Sequence, residues 1–259
     1  MGVKVLSPYS DVPHEECGIV AIFSKKGKDV APFIYRALVA LQHRGQDAAG
    51  LAVFDGHGIE ARRGIGLVAE VFEGNDLHVR GQMGIGHTRY PTFGECKLCD
   101  VQPIVFQDIA VAHNGHLANY PDLRLALERD GFGFMSSVDS ETMTFMLSKA
   151  RSMEEAVGGM MKRLEGAYSV ASIVRGKLAV FRDPFALRPL VYGENDEFIC
   201  FASESVALDI NGIPCKGDLR GGELAIIEGG RIRRAQIMPE NARHCMFEYV
   251  YFSRPDSCL

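Results

Sequence analysis

The chain changes texture partway along, and that change restricts its fold more than any other feature. Up to about Leu164, short apolar runs alternate with segments of helical periodicity; from Tyr168 onward it is nearly all short strands and turns. Gly18–Phe23 (GIVAIF), Gly50–Phe54, Met83–Thr88 and Ile109–His113 are apolar runs of strand length. Phe33, Ile34, Ala37, Leu38 and Leu41 recur at helical spacing, with Gly45 just past the expected end. Pro121 suits the first turn of a helix carrying Leu123 and Leu127 and closed near Gly131. Asp139 or Ser140 can cap the next helix, whose stripe is Met143, Met146, Leu147 and Ala150. A further helix from Met153 presents Ala156, Val157, Met160, Met161 and Leu164. The later runs YSVASIV, KLAVFRD, FICFAS, ELAIIE and RIRRAQI are joined by hairpin connectors such as Arg175-Gly176 and Gly229-Gly230. This order predicts antiparallel sheets covered by helices, an α+β fold, rather than a doubly wound parallel sheet.

Composition narrows the partners. With 47% hydrophobic residues in 259, the chain can bury a sizeable core. Its 28 basic and 33 acidic side chains leave a net charge of −5, so nucleic acid is not an expected partner. The apolar runs fall well short of the roughly 20 residues of a spanning helix, and MGVKVLSPYSDVPHEE lacks a signal-peptide core. Seven irregularly spaced cysteines read as reduced thiols. A soluble cytoplasmic protein with no membrane partner is expected. Neither a GxxxxGK loop nor a GxGxxG after a strand occurs, which argues against nucleotide binding.

Polar residues embedded in apolar strands carry the chemistry. Cys17 opens the first strand, with Gly18 expected to leave the backbone beside it uncovered. His87-Thr88-Arg89-Tyr90 ends a second strand, His113-Asn114-Gly115 ends a third, and Asp139-Ser140-Glu141 opens a helix. An Arg, an amide beside a Gly, and an Asp would suit a zwitterionic amino acid. Arg grips an α-carboxylate bidentately, Asp takes the α-ammonium, and Asn with a Gly N–H binds an oxyanion. The competing reading makes Arg89 and Asp139 a structural ion pair and Cys17 a buried small hydrophobe.

The strings ECGIVAIF, LQHRGQDAAGLAV, GIGHTRYPT, AHNGHL and SVDSET, in that order, resemble the class II glutamine amidotransferases, which are N-terminal-nucleophile hydrolases. QHRGQ, RYPT followed by VQPI, DPFALRPL, FASES and FEYVYFSRPDS narrow the resemblance to the amidophosphoribosyltransferase family, over about residues 16–257. The resemblance implies a four-layer αββα sandwich of two antiparallel sheets. It implies Cys17 as nucleophile, freed as the mature N-terminus when a propeptide of residues 1–16 is removed. A free α-amine, unperturbed pKa ~7.7–8.0, could then serve as its base. Arg89 would hold the glutamine α-carboxylate and Asp139 its α-ammonium, with Asn114 and Gly115 as the oxyanion hole. Arg44 would be structural or gating, and His43, His87 and His113 would pack and hydrogen-bond within the sheet.

The family pattern also divides the chain into a glutaminase domain over 17–245 and the start of a connection, 246–259, to a phosphoribosyltransferase domain expected to be missing here. Ammonia from glutamine would convert phosphoribosylpyrophosphate to 5-phosphoribosylamine, the first step of de novo purine synthesis. The alternatives are a stand-alone amidotransferase subunit serving another synthase and a non-catalytic regulatory domain that keeps the fold. The expected partners are glutamine, a phosphoribosyltransferase domain or subunit in cis or trans, and further copies of the chain. Cys245 matches one iron–sulfur ligand position of the family, but one thiolate cannot complete a four-thiolate cluster. No cofactor is therefore expected in this chain, with Mg²⁺ and a 4Fe–4S cluster confined to a full-length enzyme. Cys96 and Cys99 form a CxxC outside the family pattern; without a second pair it is a weak metal signal, read as a surface thiol pair or chance.

Overall fold

In the computed structural model, residues 17–73, 77–90 and 96–258 are described, so the expected propeptide lies outside the described residues. Among these residues thirteen strands form two antiparallel sheets. The first contains β1 (Gly18–Ser24), β2 (Ala48–Phe54), β3 (Ile59–Ile65), β4 (Met83–Arg89), β9 (Val191–Glu194), β10 (Phe198–Ala202) and β11 (Cys215–Asp218). Its spatial order is β11-β9-β10-β1-β4-β2-β3, with β1 central. The second contains β5 (Ile104–Phe106), β6 (Ile109–Leu117), β7 (Gly166–Val174), β8 (Lys177–Arg182), β12 (Glu223–Glu228) and β13 (Arg231–Gln236), in the order β13-β12-β8-β7-β6-β5.

Side-chain alternation sorts these strands into layers. On β1, Ile19, Ala21 and Phe23 face a core between the sheets, and Val20 and Ile22 face a second core under helix α1 (Ala31–Ala40). On β6, Ala110 and Ala112 face the central core, while Ile109 and Val111 pack on α4 (Ser140–Lys149) and α5 (Met153–Arg163). Two central strands buried on both faces explain why GIVAIF and IAVAH are unbroken apolar runs. The result is the expected αββα sandwich. Glycine sets its tightest spacing: a Cβ on Gly84 or Gly86 would stand 2.5 or 2.6 Å from Ile34 of α1. The expected connectors hold, with Arg175-Gly176 at φ 50° and 74° and Gly229-Gly230 at φ 55° and 75°.

Three differences from expectation have physical causes. The third strand runs on past His113 to Leu117, because β7 pairs with it throughout, from Ile109 opposite Val174 to Leu117 opposite Gly166. Strand β3 is an edge strand with mostly exposed charged residues, so its apolar signal is weak. The segment after 245 folds back onto the domain: Glu248 is buried, and the Cys258 N–H donates to Ser205 Oγ at 2.9 Å.

Candidate active site

Register places the nucleophile candidate. Gly18 pairs with Thr88, so Cys17 at the mouth of β1 meets the end of β4, where Arg89 and Tyr90 emerge. The thiol lies 3.9 Å from the Tyr90 carbonyl, and the Cys17 carbonyl accepts a 3.2 Å hydrogen bond from Arg44 Nε. Gly18 does not leave this backbone uncovered. It is buried, and a Cβ there would stand 2.8 Å from Thr88 Oγ1 and 3.1 Å from Leu41 Cβ. Gly45 likewise lies on the Arg89 backbone, where a Cβ would come within 2.6 Å of its carbonyl carbon.

The second sheet supplies the other wall. Asn114 continues the row of Ala110 and Ala112 that faces the first sheet, as Arg89 and His87 continue the row of Met83 and Ile85. The Asn114 carboxamide is fully buried, and among the described residues neither its oxygen nor its nitrogen has a partner. An orphaned buried amide costs roughly 1–3 kcal/mol, a cost that a bound group can offset. Gly115 adopts φ +145°, and a Cβ would stand 2.0 Å from the Ala167 carbonyl oxygen, so only glycine fits.

Cys17, Arg89, Gly115 and Asp139 line one cavity of about 340 Å³, together with Tyr90, Gln102, His113, His116, Tyr120, Ser137 and Val138. Asn114 is not on its surface but lies one residue from Gly115. Arg89 Nη1 donates to the Asp100 carbonyl at 2.7 Å. The Asp139 carboxylate does not cap α4. Its Oδ2 accepts the Leu117 N–H at 3.0 Å, and its Oδ1 lies 3.3 Å from His113 Nδ1. Burial pushes the Asp139 carboxyl upward, but His113, the Leu117 N–H and His116 outweigh it and hold the group below the usual range. Arg89 and Asp139 therefore have separate partners and are not an ion pair.

The histidines differ from expectation. His87 packs between the sheets, but both ring nitrogens lack hydrogen-bond partners among the described residues. Burial first, then the charges of Arg89 and His113, push it down to about 3, so it is neutral at ordinary pH and a weak base. His113 pairs with Asp139 instead of bonding within the sheet. His43 lies in the turn after α1, where Nε2 meets Glu204 at 2.8 Å and Nδ1 meets the Ala40 carbonyl at 3.2 Å.

Arg44 is buried at 1% exposure, with Nη1 2.7 Å from Glu204 and Nη2 2.9 Å from Glu248. Glu204 and Glu248 were legible only as members of the strings FASES and FEYVYFSRPDS, since no local pattern connects them to position 44. Gln102 was legible only as part of the string VQPI. Its Oε1 accepts the His113 N–H at 2.7 Å and its Nε2 donates to the His113 carbonyl at 3.3 Å, extending the sheet edge beside Asn114.

The remaining thiols lie apart from the cavity lining. Cys245 borders a smaller cavity with Arg182, Arg243, Glu248 and Tyr249 but no second cysteine. Among the described residues no group of three or more His, Cys, Asp or Glu could hold a metal ion. Cys96 is half-buried and Cys99 exposed, beside the segment 91–95, which lies outside the described residues.

A glutamine amidotransferase domain family matches residues 96–209. An amidophosphoribosyltransferase of Methanothermobacter thermautotrophicus is 41% identical over 256 residues, covering 95% of this chain and 54% of the relative. That of Archaeoglobus fulgidus is 39% identical over 253 residues, covering 94% and 55%. The solved glutamine phosphoribosylpyrophosphate amidotransferase from B. subtilis, complexed with ADP and GMP, superposes with a TM-score of 0.87 at 33% identity. That alignment covers 93% of this chain and 54% of that one. The chain thus spans about half the length of the relatives it matches.

Proposed function

We propose that this chain is a glutamine amidotransferase on the amidophosphoribosyltransferase branch, and that it hydrolyses glutamine to glutamate and ammonia. The ammonia would convert phosphoribosylpyrophosphate to 5-phosphoribosylamine in the first step of de novo purine synthesis. The acceptor site would belong to a phosphoribosyltransferase domain, joined in cis or in trans. The observation that carries this reading is a single cavity presenting a thiol, a guanidinium, a carboxylate and a glycine backbone together.

Arg89 holds the α-carboxylate of glutamine and Asp139 its α-ammonium, which sets the side-chain amide against Cys17. Removal of residues 1–16 frees the Cys17 α-amine, which takes the thiol proton as sulfur attacks the amide carbon. The Asn114 carboxamide and the Gly115 N–H receive the oxyanion. Ammonia leaves with the proton returned by the α-ammonium, and water then hydrolyses the thioester to glutamate.

Supporting a docked second domain, Met246 and Val250 are 73% and 74% exposed, and Phe247, Tyr249 and Tyr251 are exposed beside them. Mg²⁺ and any iron–sulfur cluster are assigned to that domain. Assembly into homo-oligomers and a cytoplasmic location complete the proposal; among the described residues no helix is long and apolar enough to cross a membrane.

Once residues 1–16 are removed, the chain should release glutamate and ammonia slowly, form no phosphoribosylamine, and speed up when the transferase domain is added. Phosphoribosylamine made by this chain alone, or no glutamate release at all, would overturn the proposal.

Its pH dependence has a definite sign. The α-amine works only when neutral, so kcat should rise with pH through roughly 7.7–8.0, the ordinary range of such an amine. Asp139 binds ammonium when charged, and its lowered pKa keeps it charged to lower pH than an ordinary carboxylate. Toward acid, kcat should therefore fall first, and KM should rise only below the ~3.9 at which an ordinary aspartate titrates. Steady-state kinetics across pH checks both limbs. A KM that rises together with the fall in kcat near neutrality would remove Asp139 from ammonium binding.

A further inference from the structure

Asp100 is not on the cavity surface, yet it bonds Arg89 directly and reaches Asp139 by way of Ser137. Its backbone carbonyl accepts the Arg89 Nη1 hydrogen bond at 2.7 Å. Its carboxylate Oδ1 accepts from the Ser137 N–H at 2.7 Å and from Ser137 Oγ at 3.0 Å. Ser137 and Val138 line the cavity and lead directly into Asp139. Asp100 is 4% exposed, so these bonds are sheltered from competing water. Among the described residues no other hydrogen bond or ion pair engages the Arg89 guanidinium, which leaves the rest of its planar fork to a ligand.

We propose that Asp100 is a positioning residue that sets the span between Arg89 and Asp139, and thereby makes the site selective for an α-amino acid. This rests on the glutamine-hydrolysing reading given above. The α-carboxylate and α-ammonium of an amino acid sit on one carbon, so both are satisfied only when their two protein partners stand at a fixed separation. Arg89 comes from the end of a strand in one sheet, and Asp139 from the start of a helix on the other. Asp100, in the short turn Leu98–Asp100, connects the two through one residue. A carboxylate suits this role because Oδ1 accepts two bonds from a single serine, fixing both its backbone and its hydroxyl.

The test compares a ligand that uses both grips with one that uses a single grip. L-Glutamine carries both charged ends, whereas 4-carbamoylbutanoate is glutamine without its α-ammonium. In the full chain, Asp100→Ala should raise KM for L-glutamine about tenfold, the scale of a lost hydrogen bond to a charged group. The inhibition constant of 4-carbamoylbutanoate should change less than about twofold, since Arg89 alone binds it, and kcat should fall less than about threefold. Asp100→Asn, which keeps an acceptor for Ser137, should recover most of the loss.

Ser137→Ala, which removes the hydroxyl bond alone, should give the same pattern at smaller size, and keeps the test open if Asp100→Ala does not fold. Equal weakening of both ligands in either variant would make Asp100 a general structural residue and overturn the proposal. So would an unchanged KM for L-glutamine in Asp100→Ala, provided the wild-type chain hydrolyses it. A wild-type chain that releases no glutamate overturns the underlying reading, and this proposal with it.

Discussion

Replacing Cys17 with alanine should abolish glutamate release, a loss on the order of 10⁶ for removal of a covalent nucleophile. It should also leave residues 1–16 attached, because in the proposed mechanism the same thiol would cleave the preceding peptide bond. In the intact precursor the Cys17 nitrogen is an amide whose lone pair is delocalised, so it cannot accept a proton. Cleavage turns that nitrogen into the base the mechanism needs, and the mature protein would have 259 − 16 = 243 residues. Anchoring of the Cys17 carbonyl by Arg44 holds the residue from its C-terminal side. Asn114→Ala should cost less, roughly 10²–10³ in kcat, because it removes one oxyanion donor and keeps the nucleophile. Intact-mass analysis combined with a glutaminase assay decides the matter. A fully active species still carrying Met1 would rule out the N-terminal amine as base.

The second large effect concerns stability. Arg44→Ala should destabilise the fold by about 3–5 kcal/mol, the cost of leaving buried charges without their partner. Against a typical total of about 5–15 kcal/mol, that approaches global unfolding. Arg44 bridges Glu204, Glu248 and the Cys17 carbonyl, and its removal takes the shared guanidinium from two almost wholly buried carboxylates, leaving Glu248 to Arg188 and Glu204 to His43 and Ser257. Arg44→Lys should recover only part of the loss, since one ammonium cannot reach three acceptors with the geometry of a guanidinium.

The same cluster fixes the response to acid. Burial acts to raise the Glu204 carboxyl, but His43, Arg44 and Ser257 together lower it from 4.5 to about 2. A depressed folded-state pKa contributes stability that is complete above the unfolded value, here about 4.5, and is lost as pH falls toward about 2. Urea unfolding at pH 7 and in steps from pH 5 to pH 2 measures both effects. An Arg44→Ala protein within about 1 kcal/mol of wild type would show that solvent reaches these carboxylates after all.

The layers of this fold were legible in the chain because their causes are local. Strands buried on both faces must be apolar at every position, so GIVAIF and IAVAH announce themselves. Type I′-like turns need positive φ at two residues, so Arg175-Gly176 and Gly229-Gly230 mark hairpins. Polar residues interrupting such strands, at Arg89 and Asn114, stood out for the same reason, and so the site's chemistry was visible before its geometry. Edge strand β3 was not legible, since a strand paired on one side and solvated on its outer face carries charges like a loop.

Tertiary structure alone decided which polar groups meet. His113 lies 26 residues from Asp139, and Arg44 lies 160 and 204 residues from Glu204 and Glu248; no periodicity reaches across such separations. Those pairings follow from the register of β1 on β4, the facing of the two sheets, and the return of the segment after residue 245 over the first sheet. The sequence by itself determined which residues are buried and which are chemically able. Their distances, and hence whether Asp139 pairs with Arg89 or with His113, were decided by close packing of two sheets whose strands come from distant parts of the chain.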